Sequence, residues 1–172
     1  TVNAFALPGG QVFSTKALYD KLADEAELAG VLGHETGHVV ERHSAQQMAK
    51  GQLGASLASA AGIAASRDGN GYAAAAIAQM VDNTLMLKFS REDESQADAC
   101  GLRFMTEAGF DPRAMIDVMK ILESVSQQTG RPPEFMVTHP YPEHRIEAIE
   151  QWLKDHPQEL SSLTRGRPLP KD

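Results

Sequence analysis

His34-Glu35-Thr36-Gly37-His38 constrains this chain more than any other stretch. An α-helix advances about 100° per residue, so His34 and His38 lie about 40° apart on one face, one turn apart along it, and close enough to share an ion. Glu35 points aside from the pair. It is free to hold a water rather than the ion, which is the task of a general base beside zinc. A helix at this place is therefore required if the motif is chemical, and the competing reading is three polar side chains stabilising a helical core.

Length and composition narrow the setting. A chain of 172 residues with 42% hydrophobic residues builds one compact domain, here expected over 1–155, with 156–172 as a loose polar tail. The net charge of -7, spread without a basic stripe, argues against a nucleic-acid partner. Cys100 is the single cysteine, so the chain forms no internal disulfide, and thiolates alone hold no zinc. No basic, then apolar, leader opens the chain, and its start at Thr1 reads as a domain cut from a longer precursor. The alanine-rich runs 53–65 and 72–87 are too short or too interrupted by polar residues for a membrane span, and are read as packed helices.

The expected fold class is mainly α (α+β): a zincin-like helical domain with an active-site helix and a small antiparallel hairpin near the N-terminus. Two short β-runs, 2–7 and 11–13, flank Pro8-Gly9-Gly10. Ser14 or Thr15 caps a helix to about Leu28, Gly30 breaks it, and the motif helix follows over about 31–49. Ser90-Arg91-Glu92-Asp93 has the form of a capping box for a helix to about Ala108, stopped by Gly109. Asp111-Pro112 starts the next, to about Ser126. The proline-rich 129–142 is expected to be irregular, before a last helix over about 143–154.

Catalytic zinc sites usually take three protein ligands and leave the fourth position to water. The zinc-protease class that continues its motif helix as H-E-x-x-H-x-x-G-x-x-H is excluded, because Glu41 and Ser44 stand where its glycine and third histidine belong. His43, about 140° around a continuous helix from His38, is removed from the ion to a surface or supporting role. A glutamate on a later helix is the other solution. Glu94 and Asp98 are spaced i,i+4 and share a face, so Glu94 is assigned to zinc. Asp98 would accept a hydrogen bond from the free ring nitrogen of a ligand histidine. The bland reading of this acidic stretch is a helix start that complements the dipole. Cys100 reads as a buried thiol, and Phe135 and Met136 either line a pocket or anchor a loop.

Four linked stretches carry a family resemblance: Asn3-Ala4-Phe5 with Pro8-Gly9-Gly10; Val31 to His38 with Arg42-His43-Ser44; Glu94 to Asp98; and Thr138-His139-Pro140 with Arg145-Ile146. In this order, over about 2–150, they resemble the HtpX-like zinc metallopeptidases, gluzincins that include the CAAX prenyl endopeptidases, the mitochondrial Oma-type proteases and the periplasmic BepA-like proteases. The resemblance implies that His34, His38 and Glu94 bind one Zn2+ and that Glu35 is the catalytic base. It also implies that His139 lies near the metal, where it can take the fourth position, and that Arg145 holds the site or binds an oxyanion. The chain lacks the membrane-spanning pair of some members and the helical repeats of others. The resemblance implies a bacterial cell-envelope protein, periplasmic or membrane-associated, that cleaves unfolded or misassembled polypeptides in quality control. The rival function is a chaperone-like binding module whose zinc site is latched by His139. The sequence leaves the physiological substrate and the oligomeric state open.

Overall fold

The computed structural model describes residues 1–53, 88–139 and 144–171. The expectations for 53–65 and 72–87 fall almost wholly outside them. Among the described residues the fold is mainly helical with one small antiparallel sheet, as the sequence leads one to expect. Strands β1 (Ala4–Ala6) and β2 (Val12–Ser14) pair with Ala4 opposite Ser14 and Ala6 opposite Val12. Gly10, at φ +93°, makes the turn in a conformation that side-chain-bearing residues rarely adopt.

The next elements differ from the sequence reading. Helix α1 covers only Lys16–Tyr19, capped by Thr15, and the motif helix α2 runs Glu25–Val40, straight through Gly30. The signal for the true start is Asp24 with Glu27. The Asp24 side chain accepts from the Glu27 amide at 3.0 Å, and the Glu27 carboxylate reaches back to the amide of Ala23. This is the reciprocal logic of a capping box, written with aspartate. Gly30 leaves the helix unbroken because its bare face packs beside Met105 and Met115. At its other end α2 stops nine residues early. Arg42 takes the left-handed conformation, φ 59°, and a separate helical stretch covers 43–53.

Helix α3 (Arg91–Glu107) begins in the expected capping box, Ser90 with Asp93, and ends before Gly109 at φ +82°. Helix α4 (Ala114–Thr129) follows; Asp111 accepts from the Arg113 amide at 3.0 Å. Within the stretch expected to be irregular, a short helix α5 (Glu134–Thr138) forms after Pro133. Helix α6 (Arg145–Asp155) closes the set before a 3-10 turn at Pro157–Leu160.

Helices α2 and α3 pack along much of their length because small residues face one another. A Cβ built on Gly37 would sit 2.8 Å from the Ala97 carbonyl oxygen, and one on Gly101 would sit 3.1 Å from the His34 nitrogen. The two backbones therefore approach closely enough for short side chains on both to meet. Helix α4 feeds two apolar clusters around this pair, one with Leu18, Leu22, Val31, Leu122 and Phe135, the other with Ala26, Leu102, Met105, Met115 and Ile149.

The C-terminal segment is docked rather than loose. The amides of Glu25 and Ala26 donate to the carbonyls of Arg167 and Arg165, each at 3.0 Å, so the segment satisfies donors that the first turn of α2 cannot satisfy itself. Arg165 bridges Asp24, Glu27 and Asp117 at 2.7–3.0 Å, and Leu169 is buried in the first cluster. Among the described residues, no helix is long and apolar enough to cross a membrane.

Candidate metal centre

Helix α2 presents His34 and His38 on its inner face, α3 brings Glu94 against them from its first turn, and the chain leaving α5 adds His139. One donor atom from each of these buried residues lies within 4.8 Å of all the others. The individual separations are tighter. His34 Nε2 is 3.1 Å from His38 Nε2 and 3.3 Å from His139 Nδ1. Glu94 Oε1 is 3.3 Å from His38 Nε2 and 3.0 Å from His139 Nδ1, and Glu94 Oε2 is 3.5 Å from His34 Nε2. Tetrahedral ligands bonded to zinc at about 2.0–2.1 Å stand about 3.3 Å apart, so the spacing suits one small cation.

The hydrogen bonds around the cluster point the same way. Asp98 Oδ1 lies 2.9 Å from His34 Nδ1, which makes that nitrogen the donor and leaves Nε2 as a lone pair. That lone pair faces other acceptors, an arrangement that repels itself without positive charge at the centre. The acid-base balance shows the same demand. Burial pushes Glu94 up, but its contacts with the His139 and His38 rings and the nearby His34 ring bring it well below the usual carboxylate range. Burial would also raise Asp98, yet Arg145 and His34 hold it down. Burial would lower His34, and Asp98 reverses this, leaving it above its ordinary value. Burial wins at His38, which falls to about 3 against its contact with Glu94, with the His34 and His139 rings opposing its charge further. The donor set fits a divalent metal such as zinc.

Glu35 sits beside this set without belonging to it. It is 1% exposed, its Oε1 has no hydrogen-bond partner among the described residues, and the nearest cluster atom is His139 Nε2 at 3.5 Å. A buried acceptor left unpaired costs about 1–3 kcal/mol, so an unexplained one calls for a ligand or a reaction.

Arg145 stands behind the donors rather than among them. Its Nε donates to Asp98 Oδ2 at 2.7 Å and its Nη2 to Asp98 Oδ1 at 2.5 Å, while Nη1 lies 2.8 Å from Glu94 Oε2, close for an ion pair though not aligned as a hydrogen bond. One guanidinium thus orients both Asp98 and Glu94, a planar fork that lysine would not reproduce.

Three further neighbours support the donors, and of these His43 takes the supporting one of the two roles the sequence left it. His43 is 1% exposed and its Nδ1 lies 2.9 Å from His38 Nδ1, because the left-handed Arg42 turns the chain back on itself; the angular argument that set it aside assumed an unbroken helix. Gln96 contacts His43 Nε2 at 3.0 Å. Phe89 stacks on His38 with ring centroids 4.0 Å apart, and no spacing rule marks it. Phe135, which the sequence left between two roles, is buried and stacks on His139 at 4.4 Å.

Comparison with known proteins identifies the family. Residues 1–153 match peptidase family M48. The chain belongs to that family. It is 38% identical over 155 residues to the mitochondrial metalloendopeptidase OMA1 of Schizosaccharomyces pombe, covering 90% of this chain and 44% of that protein. It is 33% identical over 169 residues to the beta-barrel assembly-enhancing protease of Yersinia pestis, covering 91% of this chain and 34% of the relative. Its Escherichia coli counterpart is 35% identical over 150 residues, covering 84% and 31%. The chain thus spans under half the length of these curated relatives. M48 membership bears out the resemblance read from the four motifs and implies a metal, generally zinc.

Proposed function

We propose that this chain is the zinc metalloendopeptidase domain of its protein and that it hydrolyses peptide bonds of unfolded or misassembled polypeptides. The observation that carries this reading is the convergence of four buried donors beside a buried glutamate with one oxygen free of hydrogen bonds among the described residues, in a chain of the M48 family. His34, His38 and Glu94 would hold the zinc. When bound, that ion supplies Lewis acidity and lowers the pKa of water to about 7.

Glu35 takes the proton of the attacking water and passes it to the leaving amine, a transfer for which its uncommitted Oε1 is suited. Asp98 keeps His34 in the tautomer whose Nε2 is bare, and Arg145 holds Asp98 and Glu94 in place; the proposal gives Arg145 positioning rather than direct stabilisation of an oxyanion. Phe89 and Phe135 exclude water from the histidine rings. The hairpin supports a role in guiding substrate: Phe5, Leu7 and Phe13 are exposed apolar side chains on or beside β1 and β2, and an extended peptide can add to such a strand. This recognition through backbone and generic apolar contact suits unfolded chains.

His139 supports a second reading of the resting state. Its Nδ1 lies within 3.0–3.3 Å of Glu94 and His34, where a fourth ligand would stand, so His139 must withdraw before water and substrate enter. In the extreme case the site is latched and the domain binds polypeptides without cutting them. A setting in bacterial-envelope quality control is our reading, supported by the relatives named as beta-barrel assembly-enhancing proteases; the relatives named as mitochondrial metalloendopeptidases support a mitochondrial setting instead. The test is zinc content paired with cleavage of casein by the parent, Glu35→Gln and His139→Ala. Stoichiometric zinc with activity lost in Glu35→Gln supports the protease; activity that rises in His139→Ala supports the latch. A parent with no zinc and no cleavage overturns both.

A further inference from the structure

His43 is the buried histidine that the proposed chemistry leaves without a task. Its surroundings fix where its proton sits. The Glu92 carboxylate can only accept, so the Gln96 amide turns its nitrogen to Glu92 at 2.9 Å and its oxygen to His43 Nε2 at 3.0 Å. That oxygen also only accepts, and Asp93 Oδ1, 3.8 Å from the same ring nitrogen, is a second acceptor. His43 therefore carries its proton on Nε2 and presents a lone pair at Nδ1. His38 Nδ1, 2.9 Å away, is placed to donate to it, and in that tautomer the neutral His38 ring is bare at Nε2, the atom that faces His34 and Glu94.

A second observation shows that the contact is built rather than incidental. Arg42 occupies the left-handed region, uncommon outside glycine, and this turn returns His43 to the site after α2 has ended. We propose that His43 and Gln96 are positioning residues that lock the tautomer of His38, so that its Nε2 is delivered as a lone pair to a divalent cation. The two histidines of the motif are thus oriented differently: His34 directly by the carboxylate of Asp98, His38 through a neutral relay anchored at Glu92. The inference rests on the zinc-site reading above and deepens it.

Gln96 is exposed, so its side chain can be changed without disturbing the core. Zinc affinity, measured by chelator competition, is compared in the parent, Gln96→Leu, Gln96→Lys and Gln96→Glu, together with long-range proton–nitrogen spectra of the imidazoles in metal-free protein. Leucine removes the acceptor and should weaken zinc about tenfold; lysine offers a donor, favours the opposite tautomer along the relay, and should weaken it by up to about a hundredfold. Glutamate restores an acceptor and should recover most of the affinity lost in Gln96→Leu. The parent spectra should show protons on His38 Nδ1 and His43 Nε2. Unchanged affinity in both Gln96→Leu and Gln96→Lys, or a proton on His38 Nε2 in the parent, overturns the relay while leaving the zinc site standing. A parent that binds no zinc overturns both.

Discussion

Helix α2 carries a polar cluster at each end, and the two are built to opposite specifications. At its N-terminus Asp24 and Glu27 meet Arg165, which also reaches Asp117: every carboxylate faces a cation or an amide, and the macrodipole favours acids there. In its C-terminal half, bare imidazole nitrogens face one another and a carboxylate, and Glu35 is buried with an unpaired oxygen. The first cluster is complete as it stands. The second is complete only with something added, which is why the same helix reads as scaffold at one end and as chemistry at the other.

Substituting the unpaired group should break the contrast most sharply. Glu35→Gln is expected to lower casein cleavage by about a thousandfold, in the range usual for a lost general base, with zinc content unchanged. Because the change alters a buried carboxylate oxygen that makes no hydrogen bond among the described residues, the metal-free variant should melt no lower than the parent. A metal-free Glu35→Gln that melts well below the parent would show that this carboxylate is structural.

Asp98→Asn should weaken zinc by about 10–100-fold, since it removes the charge that orients His34 and pairs with Arg145. Chelator competition reads this directly. Gly37→Ala tests the helix approach on which the second cluster depends: its Cβ would meet the Ala97 carbonyl at 2.8 Å, so about 1–3 kcal/mol of stability should be lost, with weaker zinc binding as α3 is pushed away.

Arg165→Ala should cost about 1–2 kcal/mol in a denaturant titration, the modest figure reflecting a partly exposed clamp, and should leave zinc affinity unchanged. A large zinc effect in Arg165→Ala would mean that the two ends of α2 are coupled and that the contrast between them is false.

Much of the candidate site was legible because short-range spacing is geometry. The i,i+4 separations of His34 and His38, and of Glu94 and Asp98, put each pair on one helical face wherever the helix lies. The capping signal at Ser90 was equally readable. Between the two roles the sequence leaves His43, surface or support, only the structure chooses, because an angle around a helix holds only while the helix continues, and the left-handed Arg42 ends it. The start of α2 differs from the sequence reading for a related reason: Gly30 reads as a breaker, while the Asp24–Glu27 cap is the stronger signal. The tail looked loose because its polar residues were judged alone, and Arg165 finds its three acids only when α2 and α4 are already side by side.

The sequence by itself determined a mainly helical chain and which side chains could share a face, since both follow from local periodicity and residue chemistry, and its four linked motifs carried the family resemblance. Tertiary structure decided which of those faces meet. Glycine and alanine contacts between α2 and α3 set the distance of Glu94 from His34 and His38, the turn after α5 brought in His139, and Arg42 returned His43. Those are contacts between residues far apart along the chain or across a broken helix, and they depend on the closeness of packed backbones, a quantity that no spacing in the sequence encodes.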